Sequence, residues 1–116
     1  MNLPTTVKIV DIIYTVEYFY RVADVDTTGR ELLHGQIDYL KRSIRIHSGD
    51  RKPDDIWQTL WHEMLHGISE RLRIQDYALH HDENAIDLLA IGINIAMGSL
   101  QDNPFLKGET QNAIPD

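Results

Sequence analysis

The chain has 116 residues, no cysteine and a formal net charge of −7, and 42% of its residues are hydrophobic. This length and composition predict one globular domain with a single core. The absence of cysteine excludes a disulfide framework and a cysteine-based structural zinc site. Lysine and arginine are scattered along the chain, which argues against nucleic acid as a partner because phosphate binding needs a clustered basic surface.

Neither a leader nor a membrane span is predicted. The segment 1–6 lacks the basic and apolar regions of a signal peptide. No stretch approaches the roughly 18 consecutive apolar residues of a membrane-spanning helix. We therefore expect a cytoplasmic protein without a membrane partner. Asn103-Pro104 ends the last predicted helix, so residues 1–106 form the predicted domain and residues 107–116 a polar tail.

The first half of the chain predicts a small antiparallel sheet. β-branched and aromatic residues are concentrated in segments bounded by polar turns. In chain order these are strands at 7–10 and 12–20, a polar loop at 23–30, and a hairpin of strands 36–40 and 43–47. The strand 43–47 directly precedes the first helix. We therefore expect it at the rim of a cleft, where an extended peptide could pair with its edge.

Residues 54–72 carry the clearest helical pattern. Pro53 begins this helix, and Asp54 and Asp55 favour its N-terminal dipole. Apolar residues recur every three or four positions and predict one core-facing stripe. The members of this stripe are Trp57, Leu60, Trp61, Met64, Leu65, Ile68 and Leu72. Two histidines, His62 and His66, lie on roughly the opposite side.

The motif His62-Glu63-Met64-Leu65-His66 predicts a metal site on this helix. Residues four apart share a helix face, so both imidazoles can bind one ion. Glu63 lies about 100° around the helix from His62, where it can reach a water on the metal without binding the metal. Two imidazoles and a carboxylate supply a Lewis acid and a general base for hydrolysis. The plainer interpretation is a surface helix with solvated histidines.

A second helix is predicted from Glu83 to about Leu100. It is apolar on nearly all sides and contains small residues, so we expect a long, buried helix packed against the first one. Glu83 is then the preferred third ligand, because a helical carboxylate is better fixed than a loop residue. The rival third ligands are Asp76, Asp82, His80 and His81.

Other polar residues near the predicted site have open roles. Asp87 lies one turn after Glu83, where it either accepts a hydrogen bond from a ligand histidine or is a helix-surface carboxylate. An oxyanion formed during hydrolysis would need a hydrogen-bond donor. The candidates are Tyr39, Tyr77, His80 and His81, each of which taken alone is more often structural.

These motifs resemble those of the ImmA/IrrE-like zinc metallopeptidases, a gluzincin-type group, and in particular small phage or prophage members. The resemblance covers about residues 7–106. It lies in Leu60-Trp61-His62-Glu63-Met64-Leu65-His66-Gly67-Ile68, Glu83-x-x-Ile86-Asp87-x-Leu89-Ala90, Gly35-Gln36-Ile37-Asp38-Tyr39 and Ser43-Ile44-Arg45-Ile46-His47. Ile86-Asp87 departs from the Ala-Asn that often follows the third ligand in larger members.

The resemblance implies a minimal zincin-like α+β fold in a bacterial host, with the sheet packed on the motif helix. It also implies one zinc ion held by His62, His66 and Glu83, with Glu63 as the general base. The expected function is a zinc metalloendopeptidase acting on a protein or peptide substrate. The alternatives are hydrolysis of a non-peptide amide, or a phage accessory protein that binds a host or phage regulator without cleaving it. The presence of Glu63 favours an enzyme, because a structural zinc site has no use for that carboxylate.

Overall fold

The computed structural model describes residues 3–72 and 82–98. The described chain is α+β, as the sequence predicted. Its four strands are β1 Thr6–Ile9, β2 Ile12–Phe19, β3 Gly35–Asp38 and β4 Ser43–His47. Its two helices are α1 Pro53–Arg71 and α2 Glu83–Gly98, and a 3₁₀ turn lies at Val22–Asp24. Neither helix, over its described residues, has the length and apolar character that a membrane crossing requires.

The four strands form one sheet in the order β1-β2-β4-β3. The outer pairs, β1 with β2 and β3 with β4, are antiparallel, and the hairpin predicted around Lys41-Arg42 is confirmed. The central pair, β2 with β4, is parallel, so the sheet is mixed where the sequence predicted an antiparallel one. The reason is that the connection 20–34 passes the position beside β2 and places β3 one strand further out. β4 then occupies the position between β2 and β3.

This order makes β3 an edge strand and β4 an interior strand. β4 pairs with β2 on one side and with β3 on the other. The prediction that 43–47 offers a free edge to a peptide is therefore wrong, because both of its edges are occupied. Among the described residues, the unpaired edge on this side of the sheet belongs to β3.

α1 lies between the sheet and α2, with contacts to both. The predicted apolar stripe is largely confirmed: Leu60, Trp61 and Met64 are buried, and three more members are partly buried. Leu72, which follows the last helical residue, is 54% exposed. The helix approaches the sheet closely at Gly67, where an added Cβ would lie 2.7 Å from Cδ1 of Ile9.

α2 is an outer layer and not the buried helix that its composition predicted. Ile86 and Ala90 are buried, whereas Leu88 and Ile95 are 69% and 66% exposed. The physical reason is that α2 packs chiefly against α1. The described part of the chain provides no further layer on the opposite side of α2, so apolar residues remain at the surface.

Asp26 organises the long connection between β2 and β3. Its carboxylate accepts hydrogen bonds from the Thr28 hydroxyl and from the backbone amides of Thr28, Arg30 and Glu31. It also accepts one from Nε2 of Gln36 at 2.8 Å, which ties the connection to β3. Asp26 is 7% exposed. These donors, with Thr28 first, hold the pKa of the Asp26 carboxyl well below its usual value.

We expect Asp26→Asn to lower the melting temperature by several degrees at neutral pH, since the amide cannot accept all of these bonds. The pKa of the Asp26 carboxyl is lower in the folded state than its value of 3.8 in the unfolded chain, so its ionised form stabilises the fold at pH values above 3.8. This stabilisation is lost as the pH falls towards the pKa of the folded state. The difference between variant and wild type should therefore narrow below about pH 4. Asp24→Asn, which alters an exposed ion pair, is the control. A difference independent of pH would contradict this role.

Candidate metal centre

His62 and His66 project from α1 into a cleft of about 720 Å³ between α1, β3 and the start of α2. Their side chains are 20% and 16% exposed. The ring centroids lie 5.0 Å apart, which follows from their four-residue spacing on one helix face. The two imidazoles therefore face the same space.

Glu83 lies opposite both histidines and joins α2 to α1. Its Oε1 is 3.0 Å from Nε2 of His62, and its Oε2 is 3.0 Å from Nε2 of His66. Ligand atoms of the three residues all lie within 4.8 Å of one another, so this group could hold a metal ion. The two distances from Glu83 suit a shared ion, because ligand atoms about 2.0–2.1 Å from one tetrahedral ion lie roughly 3.3 Å apart. The three residues predicted to be ligands are thus brought together.

Asp82, a rival third ligand, has a different role in the structure. Its Oδ1 accepts hydrogen bonds from the backbone amides of Asn84 at 3.0 Å and Ala85 at 3.2 Å. This is the geometry of a helix N-cap, and it directs the Asp82 carboxylate towards the helix backbone. The other rivals, Asp76, His80 and His81, and the oxyanion candidate Tyr77 lie outside the described residues.

Asp87 lies beside His62, one turn after Glu83. Its Oδ1 is 3.4 Å from Nδ1 of His62, whereas Nε2 of the same ring faces Glu83. A carboxylate at the distal nitrogen of a ligand histidine fixes the ring orientation and favours the tautomer whose other nitrogen is a ligand. The position of Asp87 therefore agrees with the predicted role of orienting His62. The side chain of Asp87 is 53% exposed.

Glu63 is enclosed between α1 and β3. It is 7% exposed, and burial raises the pKa of its carboxyl to about 7, with His62 acting in the opposite direction and Glu83 adding to the rise. Gly35 explains this enclosure. A Cβ on Gly35 would lie 2.8 Å from Oε2 of Glu63 and 2.8 Å from Cγ2 of Thr59. A side chain on Gly35 would force Glu63 or Thr59 to move, so glycine lets β3 approach Glu63 in its present position.

Tyr39 also lines the cleft, beyond the end of β3. Its hydroxyl lies 3.5 Å from the backbone carbonyl oxygen of His66, at the limit of a hydrogen bond. Burial, with the negative charge of Glu63 second, raises the pKa of Tyr39 to about 12. The phenol therefore stays protonated at neutral pH and remains able to donate a hydrogen bond.

The cleft contains residues to which the sequence reasoning gave no role. Its lining includes His34, Gly35, Gln36, Arg51 and Thr59 in addition to the predicted site. A glycine in a strand can indicate that another chain segment approaches the backbone closely. The sequence therefore contains a signal for the close contact at Gly35. No comparable local signal exists for Arg51, which lies in a polar loop of the sequence.

We compared the chain with known proteins. No protein-family model, characterised protein or solved structure matches it significantly.

Metal binding should depend on Glu83 far more than on its neighbour Asp82. Glu83→Ala removes one of the three candidate ligands, so we expect Zn²⁺ affinity to fall by more than the roughly 10–100-fold typical of a residue that only orients a ligand. For Asp87→Asn we expect the loss of Zn²⁺ affinity to lie within that roughly 10–100-fold range. Titration with Zn²⁺ in the presence of a competing chelator measures each affinity.

Asp82→Ala is the matched control, because it removes the adjacent carboxylate. We expect it to leave Zn²⁺ affinity nearly unchanged and to cost about 1 kcal/mol of stability through loss of the helix cap. A greater loss of Zn²⁺ binding in Asp82→Ala than in Glu83→Ala would show that the third ligand is misassigned.

Proposed function

We propose that this protein is a zinc metallopeptidase of the ImmA/IrrE-like type. The observation that carries the proposal is the convergence of His62, His66 and Glu83 beside the buried carboxyl of Glu63. Two imidazoles and one carboxylate form a donor set typical of catalytic zinc, which keeps a further coordination position open. The cleft beside this group supplies room for a substrate.

The reaction assigned to this site is hydrolysis of a peptide bond. A bound zinc ion would supply a Lewis acid that activates water and polarises the peptide carbonyl. Glu63 accepts a proton from the attacking water and delivers it to the leaving nitrogen. Its raised pKa, about 7, suits a group that both accepts and returns a proton near neutral pH. The hydroxyl of Tyr39 is a donor for the developing oxyanion.

The edge of β3 supplies a place for the substrate backbone. β3 contributes Gly35, Gln36 and Ile37 to the cleft lining, and its outer edge pairs with no strand among the described residues. An extended peptide that adds to such an edge is held by backbone hydrogen bonds. It would then run alongside α1, past Glu63 and the two histidines.

The alternative is a protein that binds a regulator without cleaving it. The exposed apolar residues Leu88 and Ile95 on α2 favour such a role, since they lie on a surface that a partner could cover. A protein that only binds a regulator has no need for a buried carboxyl group such as Glu63 beside the cleft.

Glu63→Gln distinguishes the two proposals. We expect this variant to keep its fold and Zn²⁺ binding but to lose about 10²–10⁴ in cleavage rate, because it removes the proton acceptor and no ligand. Zinc-loaded wild type and variant are incubated with a denatured proteome, and new peptide termini are mapped by mass spectrometry. If a cellular effect of the protein survives Glu63→Gln unchanged, the binding role gains and the peptidase proposal fails.

Gly35→Ala tests the close contact between β3 and the proton acceptor. The added Cβ would displace Glu63, and a misplacement of about 1 Å at a reacting group can cost 10²-fold in rate. We expect an activity loss of that order with Zn²⁺ binding retained. Gly92→Ala is the control, because nothing lies within 4 Å of an added Cβ there, and alanine in a helix should stabilise by about 0.5–1 kcal/mol. Equal activity in the two variants would contradict the role of Gly35.

A further inference from the structure

Arg51 is a partly buried cation without a carboxylate partner among the described residues. Three arginines of the described chain are partly buried, namely Arg45, Arg51 and Arg71. Arg45 pairs with Glu17 at 3.3 Å and Arg71 with Asp11 at 2.6 Å. Arg51 makes no such ion pair with residues 3–72 or 82–98. A charge that is partly desolvated and unpaired gains more from an anion than an exposed one does.

The Arg51 side chain is fixed in position by neutral acceptors. Its Nη1 donates to the backbone carbonyl of His47 at 2.7 Å. Its Nη2 donates to the carbonyl of Asp55 at 3.1 Å and to the hydroxyl of Thr59 at 2.8 Å. A guanidinium has five N–H donors, so two of them remain for a further acceptor. None of the three acceptors neutralises its charge.

Arg51 lines the same cleft as the candidate metal ligands. At the histidines the charge is negative, since Glu83 contacts both His62 and His66 and Asp87 contacts His62. Arg51 contacts the neutral hydroxyl of Thr59 instead. Asp55, whose charge acts on Arg51, forms no ion pair with it. The cleft therefore combines acidic groups at the histidines with a guanidinium, in a protein whose net charge is −7.

We propose that Arg51 binds a carboxylate of the peptide substrate, so that the protein selects acidic side chains or a C-terminal carboxylate near the bond it cleaves. This inference rests on the proposed peptidase function and adds a substrate class to it. A free N–H of the guanidinium can donate a charge-assisted hydrogen bond to one carboxylate oxygen.

The position of Arg51 sets the distance between this carboxylate and the scissile bond. Thr59, which contacts Arg51, lies three residues before His62 on α1, a rise of roughly 4.5 Å. An extended peptide advances about 3.3 Å per residue. The selected carboxylate should therefore lie within about two residues of the cleaved bond, always on the same side.

Cleavage profiling tests the selection. Zinc-loaded full-length protein is incubated with a proteome-derived peptide library, half of it amidated at the C-terminus. We expect Asp or Glu to be enriched at one fixed position near the cut, or cuts at a fixed distance from free C-termini that amidation abolishes. Arg51→Gln should lose the selection, and Arg51→Glu should favour Lys or Arg there. Lys52→Gln, which removes the neighbouring exposed cation, should behave as wild type.

A binding assay separates failure of this inference from failure of the peptidase proposal. Zinc-loaded Glu63→Gln is titrated with two pools of acetylated random peptides that differ only in Asp against Asn, and with a free-carboxyl version of the Asn pool. We expect about tenfold tighter binding of one carboxylate-bearing pool, the size of one charge-assisted hydrogen bond. That preference should disappear when Arg51→Gln is added. Selective binding without any cleavage would retain the subsite and reject the peptidase.

The outcomes that overturn the inference are equal binding of all pools, or a preference that survives Arg51→Gln. Because Arg51 ties the end of β4 to α1, the fold of each variant is checked by its melting temperature. If Arg51→Gln does not fold, Arg51→Lys serves instead. It keeps the charge but loses the three contacts that fix the guanidinium, so the preference should weaken by several-fold, and an unchanged preference would reject recognition by the fixed guanidinium of Arg51.

Discussion

The close approach of α1 to the sheet controls the position of every group in the cleft. Two glycines make this approach possible, Gly67 on the helix and Gly35 on β3. Gly67 receives the side chains of Ile9 and Ile37, and Gly35 leaves room for Glu63. Because the helix lies this near, Glu63 is removed from water and the pKa of its carboxyl rises to about 7. A side chain at either position would force the ends of these neighbouring side chains to move.

The candidate site is assembled on different sides of one helix. The side of α1 that faces the sheet holds Glu63, and a neighbouring side presents His62 and His66. α2 completes the group, since Glu83 in its first turn lies 3.0 Å from both imidazoles. Asp82 caps the same turn through two backbone amides. The cap stabilises the first turn of α2, in which Glu83 lies.

The mixed topology gives the cleft its other wall. Because β4 fills the interior position beside β2, β3 is left at the edge of the sheet, next to α1. Asp26 holds this edge strand through Gln36, and the backbone of His34 continues the pairing beyond it by accepting a hydrogen bond from the amide of His47. Arg51, directly before α1, lines this same cleft. Under the proposed function, substrate recognition and bond hydrolysis would share one cleft.

The local elements, and the spacing of residues within each of them, can be predicted from the amino-acid sequence. The apolar stripe located α1, the four-residue interval placed His62 and His66 on one face, and Glu83 followed as the carboxylate at the start of the next helix. The hairpin around Lys41-Arg42 was equally predictable. These features depend on residues a few positions apart, for which periodicity and turn chemistry are sufficient.

Which elements lie next to one another depends on how the whole chain folds. The parallel pairing of β2 with β4, the exposed apolar side of α2 and the edge position of β3 depend on strand order and layer packing, and periodicity does not encode either. The apolar composition of α2 predicted burial, but burial requires a neighbour on each side. The contact of Gly35 with Glu63 and the unpaired charge of Arg51 likewise arise between segments distant in sequence, where a residue's environment is set by packing and not by its own pattern.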